Sequence, residues 1–373
     1  MCGIPQPNDV RRAHTNARKT LEIMENTGAA IMVTIDDVAK AAGVSRATTS
    51  YALRGDPRIA PGTADKVRHA AARLHYTANL SARSLRSGRN GVIGVAIYEL
   101  DRAYPSEMSA AMSREIARRG CQTIVQQTAN SKEGEIAILQ KITSQLCDGM
   151  IFSPGNVGDA ELKYLSHGKP MVLLDDSSTA PVFDSVDTPC EEGAAQAIRH
   201  LAGVGCRDIV VIGPDYRLLD DEFARNGVEG RRLAGCISAL EDVGMRVMPD
   251  MFVHTTWDAG SARRRAHELV RSGRRFDGAF CLTDTVAMGF IRGLADCGAR
   301  VPDDVAVVGF DGVAEGASFV PSLTTISVDL EDLARKAIDL LMRRMCEDAG
   351  HPLPPRRVVA GYQLVEREST KRG

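Results

Sequence analysis

From residue 91 onward, short apolar runs of strand length alternate with amphipathic segments of helix length. The strand-like runs are 92–98, 123–127, 149–152, 171–174, 209–212, 278–282 and 305–310. The helix-like segments between them are 108–119, 133–146, 192–201, 231–243, 261–271 and 285–297. Strands that alternate with helices predict parallel, doubly wound sheets, and this number of units favours two lobes over a single sheet. Ligands of such folds bind at the carboxyl ends of the strands, often between lobes.

Residues 34–76 carry a different pattern, which predicts three short helices. Thr34 is a candidate N-cap of the first helix, with Asp37 three residues later as in a capping box. Gly43 ends that helix, Ser45 is a candidate cap of the second, and Pro61 suits the first turn of the third. Two short helices joined by a glycine turn predict a helix-turn-helix, whose second helix enters the major groove of DNA.

Charge is distributed unevenly along the chain, although the formal net charge is only -2. Residues 33–90 hold ten Lys and Arg against four Asp and Glu, a net charge of +6. Residues 1–32 carry +1, so residues 91–373 carry -9. A basic segment on an acidic body favours a polyanionic partner for that segment alone. A solvated helical surface is the alternative explanation, which charge by itself does not exclude.

The start of the second helix holds the candidate DNA-reading side chains. Arg46 can bind guanine through two hydrogen bonds, with Ala47 beside it and Tyr51 one turn later. Short hydroxyl side chains suit contacts with phosphates. The hydroxyl residues assigned to DNA binding are Thr34, Ser45, Thr48 and Ser50.

Eight strings of residues, in order along the chain, carry a resemblance to a known family. The first is Val33-Thr-Ile-Asp-Asp-Val-Ala-Lys-Ala-Ala-Gly-Val-Ser-Arg-Ala-Thr-Thr-Ser-Tyr-Ala-Leu53, and the second is Tyr76-Thr-Ala-Asn-Leu-Ser-Ala-Arg-Ser-Leu-Arg86. The others are Gly91-Val-Ile-Gly-Val, Cys147-Asp-Gly-Met-Ile, Arg231-Arg-Leu-Ala-Gly235, Val301-Pro-Asp-Asp-Val-Ala-Val-Val-Gly-Phe-Asp311, Leu323-Thr-Thr-Ile326 and Arg367-Glu-Ser-Thr370. Together they closely resemble the lactose-repressor (LacI/GalR) family over nearly all of residues 33–373.

This resemblance implies an all-α helix-turn-helix head plus an α/β two-lobed, periplasmic-binding-protein-like sensor domain. The expected parts are a flexible arm at 1–32, the head at 33–77 and a hinge at 78–90. The sensor N-lobe is expected at 91–187 and 327–356, and the C-lobe at 188–326 and 357–373. Met32 directly precedes the first patterned segment, so it is a candidate native start. The alternative is that the bases in the arm contact DNA, which is less favoured because scattered bases are common in disordered tails.

Family members are homodimers that bind a near-palindromic operator, and the resemblance implies double-stranded operator DNA and a second copy of this chain as partners. The family's hinge folds into a helix on DNA and pushes a leucine into the minor groove, where it kinks the duplex. Leu85 has that position, and an ordinary linker residue is the alternative. The hinge residues assigned to DNA binding are Asn79, Ala82, Arg83, Leu85 and Arg86.

Two residues depart from the family pattern in the DNA-binding segments. Ala78 stands where the family usually has proline, which makes the hinge less stiff. Tyr51 stands where many members have arginine, which leaves the operator sequence open. The chain has no heptad tail after Thr370 of the kind that makes tetramers, so a dimer is expected.

Family effectors lie between the lobes, and the resemblance places Arg232 and Asp311 at the matching arginine and aspartate. Arg232 offers a planar fork of donors, and Asp311 accepts hydroxyl hydrogens. The alternatives are a helix-surface ion pair and a strand-end carboxylate. Trp257 is the single tryptophan, which can stack on a sugar face or simply pack the lobes. The remaining positions assigned to effector binding are Tyr98, Tyr104, Asp175 and Thr283.

The expected effector is a sugar or related metabolite. Thr283 replaces an asparagine that is common in the family, so the residues do not by themselves establish a sugar. A DNA-binding protein with a vestigial sensor therefore stays open as an alternative.

Other functional classes lack their motifs in this sequence. A G-x-x-x-x-G-K-[ST] loop, an H-E-x-x-H helix and a G-x-S-x-G elbow are all absent, so neither an enzyme nor a cofactor is expected. The nine cysteines form no C-x-x-C pair and no zinc spacing, which predicts no metal site and reduced thiols in the cytoplasm. No apolar run reaches the ~18 residues of a membrane helix, so no membrane partner is expected. A periplasmic-type binding protein would need an export signal and would have no use for residues 33–90.

Overall fold

A computed structural model describes residues 33–76, 89–140, 146–213, 215–348 and 350–371. The chain divides into two compact units, Met1–Gly88 and Arg89–Gly373. Within the described residues, no helix is both long and apolar enough to span a bilayer.

The first unit contains α1 (Ile35–Ala42), α2 (Arg46–Leu53) and α3 (Pro61–Arg73), which confirms the three predicted helices. Thr34 caps α1 in a capping box, since its N–H donates to Asp37 Oδ2 at 2.9 Å and the Asp37 N–H donates to Thr34 Oγ1 at 3.4 Å. Gly43 follows α1 at φ 66°, a left-handed conformation that glycine adopts without steric cost. The buried core of this unit consists of Val38, Ala52, Ala64, Val67, Ala70 and Ala71.

The second unit contains two six-stranded sheets with helices packed on them. Its strands are β1 (Val92–Ile97), β2 (Gln122–Gln127), β3 (Gly149–Phe152), β4 (Met171–Leu174), β5 (Asp184–Asp187), β6 (Ile209–Gly213), β7 (Phe252–His254), β8 (Gly278–Cys281), β9 (Ala306–Asp311), β10 (Thr324–Val328), β11 (Arg357–Val359) and β12 (Tyr362–Val365). Its helices are α4 (Ala103–Arg118), α5 (Lys132–Ile138), α6 (Asp159–Leu165), α7 (Cys190–Gly203), α8 (Glu222–Asn226), α9 (Val228–Asp242), α10 (Ala259–Arg271), α11 (Asp284–Asp296), α12 (Glu315–Ser318) and α13 (Leu330–Met345).

The first sheet has the order β11-β5-β4-β3-β1-β2, and all of its pairs are parallel. We call this sheet with its helices, among them α4 and α13, the first lobe. The register pairs Ile93 with Gly149 and Val172 with Asp184, so the strands end at a common edge. The side chains of β3 and β4 are buried throughout, as expected of a parallel sheet covered on both faces.

The second sheet has the order β12-β10-β9-β8-β6-β7 and forms the second lobe with α7, α9, α10 and α11. Its pairs are parallel except β10 with β12, which is antiparallel. Helix α7 packs on α9 on one face of the sheet, and α10 packs on α11. Both lobes are thus doubly wound, as the alternation of strands and helices predicts.

The seven predicted strands and six predicted helices are all present, with their ends shifted by a few residues. Helix α5 covers only the first part of the predicted segment 133–146, of which 141–145 lie outside the described residues. Two expected lobe boundaries are wrong. Residues 327–356 are expected in the N-lobe, but Ser327 and Val328 belong to β10 of the second sheet. The sequence-based division assigns 357–373 wholly to the C-lobe, whereas Arg357–Val359 pairs with β5 in the first sheet. The chain therefore crosses to the second lobe after Val359, because β11 completes the first sheet before β12 joins the second.

Candidate functional site

A cavity of about 590 Å³ opens at the carboxyl ends of the strands of both lobes, and its lining includes all seven residues assigned to effector binding. The position of each residue follows from the topology: Tyr98 comes directly after β1, Asp175 after β4, and Asp311 ends β9. The others are Tyr104 on α4, Arg232 on α9, Trp257 after β7 and Thr283 after β8. Doubly wound folds form ligand sites at this edge of their sheets.

Arg232 and Asp311 form a buried pair in the wall of the cavity, with side chains only 3% and 6% exposed. The Arg232 Nη2 lies 3.5 Å from Asp311 Oδ1, and its Nη1 donates to the Leu282 carbonyl. The guanidinium carbon lies 3.6 Å from the ring centroid of Phe310, a cation–π contact that fixes the plane of the fork. Burial raises the pKa of the Asp311 carboxyl well above its ordinary value, although Arg232 opposes this shift.

Asp284 supports the turn that carries Asp311. Its Oδ2 accepts from the main-chain N–H groups of Gly312 and Val313, each at 2.8 Å, and its Oδ1 accepts from Thr325 Oγ1 at 2.6 Å. These hydrogen bonds join α11, the turn after β9 and strand β10. The Asp311 backbone is held at φ 114°, which is rare for a residue other than glycine. Asp284 was not among the sequence-based candidates, although its position after the strand end was visible.

Tyr98 and Tyr104 place two phenols in the cavity wall, and burial raises the pKa of both. The Asp311 carboxyl further raises the pKa of Tyr98, and the Asp175 carboxyl further raises the pKa of Tyr104. Both rings therefore lie near acidic side chains. The Tyr104 hydroxyl is buried and has no hydrogen-bond partner among the described residues. A ligand acceptor in the cavity would satisfy it, since buried hydroxyls are normally hydrogen-bonded.

Asp175 is already engaged by protein groups. Its Oδ1 accepts from both the N–H and the Oγ1 of Thr188 at 2.7 Å, and Arg231 Nη2 lies 3.4 Å away. Arg231 Nη1 also donates to Asp187 Oδ2 at 2.7 Å. Arg231 extends from α9 of the second lobe to acids of the first lobe, so it links the lobes beside the cavity. Arg231 belongs to one of the family motifs but is not among the residues assigned to effector binding from the sequence.

The other cavity residues come from the second lobe. Thr283 Oγ1 accepts from the Val286 N–H at 3.2 Å, so this hydroxyl caps α11. Trp257 is half-buried at φ 59°, and Arg102 Nη1 of the first lobe donates to its carbonyl at 2.5 Å. Thr255 is buried beside it, with a hydroxyl that has no partner among the described residues. Thr255 lies after β7, a three-residue strand that the sequence pattern did not indicate.

The first unit presents a second candidate site at the start of α2. Ser45, Arg46 and Ala47 are exposed there. Ser45 Oγ accepts from the Thr48 N–H at 3.1 Å, and Arg46 Nε lies 3.5 Å from Asp36 Oδ1 in an exposed pair. Such a surface pair is weak, so Arg46 can exchange it for a ligand at low cost.

The remaining residues assigned to DNA binding have different positions. Thr34 donates from Oγ1 to Asp37 Oδ2 at 2.7 Å, so its hydroxyl serves the cap of α1. Ser50 and Tyr51 are partly exposed on α2. The five hinge positions Asn79, Ala82, Arg83, Leu85 and Arg86 lie outside the described residues.

The described parts of the chain hold several cysteines and histidines, but these residues do not cluster as metal ligands do. No group of three or more His, Cys, Asp or Glu is placed to hold a metal ion there. The cysteines in those segments are free thiols, most of them buried. Burial raises the pKa of Cys236 and Cys281, which makes these thiols poor nucleophiles.

Comparison with known proteins gives matches over both units. Residues 34–79 match the family described as bacterial regulatory proteins, lacI family, and residues 198–370 match the periplasmic binding protein-like domain. The chain is 30% identical over 346 residues to the HTH-type transcriptional repressor PurR of Escherichia fergusonii, an alignment that covers 92% of this chain and 98% of that protein.

Solved structures agree with these matches. A transcriptional regulator of the LacI family from Sanguibacter keddieii has a TM-score of 0.67 at 33% identity, over 76% of this chain and 99% of that one. The lac repressor dimer bound to operator and the anti-inducer ONPF has a TM-score of 0.74 at 25% identity, over 91% of this chain and 99% of that one. The protein is therefore a member of the LacI family of bacterial regulatory proteins, with a helix-turn-helix head and a periplasmic-binding-protein-like sensor domain.

Proposed function

We propose that this protein is a sequence-specific transcriptional repressor that binds a near-palindromic operator as a homodimer and is controlled by a small molecule. The effector binds in the cavity at the strand ends of the two lobes. The observation that carries the proposal is the convergence of Tyr98, Asp175, Arg232 and Asp311, which are far apart in sequence, on this one cavity. A chain with a helix-turn-helix head and such a cavity has both parts of a ligand-controlled DNA-binding protein.

The DNA-binding part rests on the exposed start of α2. Ser45, Arg46 and Ala47 present a short hydroxyl, a guanidinium and a methyl group on consecutive positions, which suits one phosphate and two base contacts. The relatives add support, because one is a repressor and another is a dimer bound to operator. The proposed site in this unit also includes the hinge, with Leu85 inserted at the central base step.

The effector proposed for the cavity is a sugar or related metabolite. Aromatic faces of Tyr98, Tyr104 and Trp257 suit the C–H faces of a pyranose ring, and Asp311 with Arg232 offers an acceptor beside a fork of donors. The Tyr104 hydroxyl, which has no partner among the residues that the structure describes, adds a hydrogen-bonding group that a polyhydroxylated ligand would satisfy. A volume of about 590 Å³ is within the range of small-molecule sites.

The proposed control is a two-state switch. An effector that contacts both lobes favours one angle between them, and this angle sets the spacing of the two hinges and heads in the dimer. Because such coupling is reciprocal, an effector that weakens operator binding must itself bind less tightly to the operator complex.

Selection of random duplex DNA by the purified full-length protein, at a stated salt concentration, tests the DNA-binding part. We expect recovery of a two-fold symmetric site with closely spaced half-sites. Repeating the selection in the presence of neutral sugars tests whether the protein binds DNA only when an effector is bound. Recovery of no preferred sequence in either condition would contradict the proposal.

A further inference from the structure

Two guanidinium groups lie over the phenol ring of Tyr51 in the first unit. The guanidinium carbon of Arg54 lies 5.0 Å from the ring centroid, and that of Arg58 lies 4.7 Å from it. Tyr51 belongs to the last turns of α2, whereas Arg58 belongs to the loop between α2 and α3. Both distances are within the range of a cation–π contact.

The loop returns to Tyr51 because of one backbone turn. Gly55 follows α2 at φ 72°, a conformation that side chains disfavour. The Asp56 N–H then donates to the Tyr51 carbonyl at 3.1 Å, which places the following residues beside the ring. The approach of Arg58 to Tyr51 is therefore built into the end of the helix.

Each arginine is held by a second contact. Arg54 Nε donates to the Ser50 carbonyl at 3.1 Å. Arg58 Nε and Nη2 donate to the two oxygens of Asp56 at 2.9 and 2.7 Å, and the Arg58 N–H donates to Asp56 Oδ1 at 3.0 Å. The hydrogen bonds from Arg58 hold the pKa of Asp56 at about 2, so the carboxylate is ionised at any pH used for DNA binding.

The exposure of this cluster indicates what it binds. The Arg58 side chain is 72% exposed although its fork is fixed, while the Asp56 side chain is only 18% exposed. Long cationic side chains on a surface are normally mobile, and holding them costs conformational entropy. Two held, exposed cations close to one phenol form a preorganised site for phosphates and a neighbouring base edge.

We infer that Tyr51, Arg54 and Arg58 contact operator DNA as one unit, with the arginines on phosphates and Tyr51 on a base edge, and that Asp56 is the positioning residue of Arg58. The inference rests on the proposed function and extends the DNA-binding surface beyond α2. In this arrangement the base preference of Tyr51 depends on Arg58, because the stacked guanidinium fixes the direction of the phenol.

The experiment uses full-length protein and the duplex that the wild type selects. Arg58→Ala should weaken binding of that duplex about tenfold, lower the slope of log affinity against log salt by about one, and broaden base preference at one position of each half-site on reselection. Arg58→Lys keeps the positive charge but loses the planar guanidinium. The slope of log affinity against log salt should therefore stay near that of the wild type, while the base preference broadens.

Asp56→Asn tests whether Asp56 positions Arg58 or only stabilises the fold of the first unit. It removes a negative charge and frees Arg58, so affinity for random duplex should be unchanged or higher while discrimination between selected and random duplex falls. If Asp56 only stabilised the fold, Asp56→Asn would lower the affinities for the selected and the random duplex together. Arg68→Ala is the matched control for Arg58→Ala, because Arg68 pairs with Asp65 at 2.7 Å on α3 and its removal changes the charge by the same amount.

Three results distinguish the possible failures. If Arg58→Ala and Asp56→Asn select the wild-type sequence with the wild-type salt slope, the inference is overturned and the proposed function stands. If Arg58→Ala behaves as Arg68→Ala does, Arg58 contributes only net charge and the inference is again overturned. If the wild type selects no sequence, the proposed function fails and the inference fails with it.

Discussion

Arg102 and Trp257 connect the two lobes at the cavity: Arg102 Nη1 donates to the Trp257 carbonyl at 2.5 Å. Arg102 precedes α4 in the first lobe and also pairs with Glu99, while Trp257 follows β7 in the second lobe. Both residues line the cavity, and Trp257 is the only tryptophan of the chain. The emission of this tryptophan therefore reports directly on the site.

Arg102→Ala should let the lobes separate more readily. We expect the Trp257 emission of the variant to shift to longer wavelength, because the indole becomes more hydrated. Binding of neutral sugars, followed by the same emission, should weaken roughly tenfold, or ~1.4 kcal/mol. Lys132→Ala is the control, since Lys132 pairs with Glu161 at 2.8 Å within the first lobe. Unchanged emission and affinity in Arg102→Ala would show that the contact does not hold the lobes.

Asp311→Asn tests the role of the buried pair in effector binding. Asparagine tolerates a positive φ better than most residues, so the turn at φ 114° should be preserved. Loss of one acceptor oxygen beside Arg232 should weaken effector binding by about 1 to 3 kcal/mol, while operator affinity without effector stays at the wild-type value. Calorimetric titration with neutral sugars measures the first quantity. Asp242→Asn, an exposed change on α9, should alter neither, and a loss of folding in Asp311→Asn would indicate a structural role instead.

His200 should make the stability of the second lobe depend on pH. It is half-buried on α7, its Nε2 lies 2.9 Å from Thr370 Oγ1, and burial lowers its pKa from the ordinary 6.5. A lowered pKa means that the folded state binds this proton less readily than the unfolded chain. The stabilisation is therefore present above pH 6.5 and is lost as the pH falls through the pKa of the folded protein. Thermal melts between pH 5 and 8 should show a smaller decrease for His200→Gln than for the wild type; equal decreases would contradict the assignment.

Leu85→Ala tests the proposed wedge in the hinge. Inserting an apolar side chain partly unstacks a base step, at a cost of roughly a few kcal/mol that wider contact offsets on the correct site only. The variant should therefore lose much more affinity for the selected duplex than for random duplex, as measured by titration at one salt concentration. An equal loss on both duplexes would identify Leu85 as an ordinary linker residue.

The local sequence signals predicted the head well because they act within one or two turns. Thr34, Gly43 and Ser45 have the roles expected of caps and a helix end, and these roles need no tertiary contact. Tyr98, Asp175 and Asp311 were assigned to effector binding through the family resemblance, and each lies at or directly after the end of a strand. The cavity they share follows from the parallel topology, which the alternation of strands and helices indicates.

The parts that the sequence did not indicate depend on contacts between distant segments. Strand β5 holds two aspartates in four residues, and its burial is possible because Arg344 pairs with Asp184 at 2.8 Å while Arg231 and Arg357 approach Asp187. No periodicity predicts these pairings, since the arginines lie more than 40 residues away. The cluster around Tyr51 was missed because Arg58 reaches the ring through a turn outside the helix.

The coupling between the cavity and DNA is the central claim, and one paired measurement tests it most directly. A neutral sugar that changes Trp257 emission is first identified; its affinity is then measured for free protein and for protein saturated with the selected duplex. Affinity for the duplex is measured with and without saturating sugar. We predict a factor different from one that is the same in both comparisons, because coupled sites change each other's affinity equally. A sugar that binds the cavity and leaves duplex affinity unchanged would contradict control of DNA binding by that ligand.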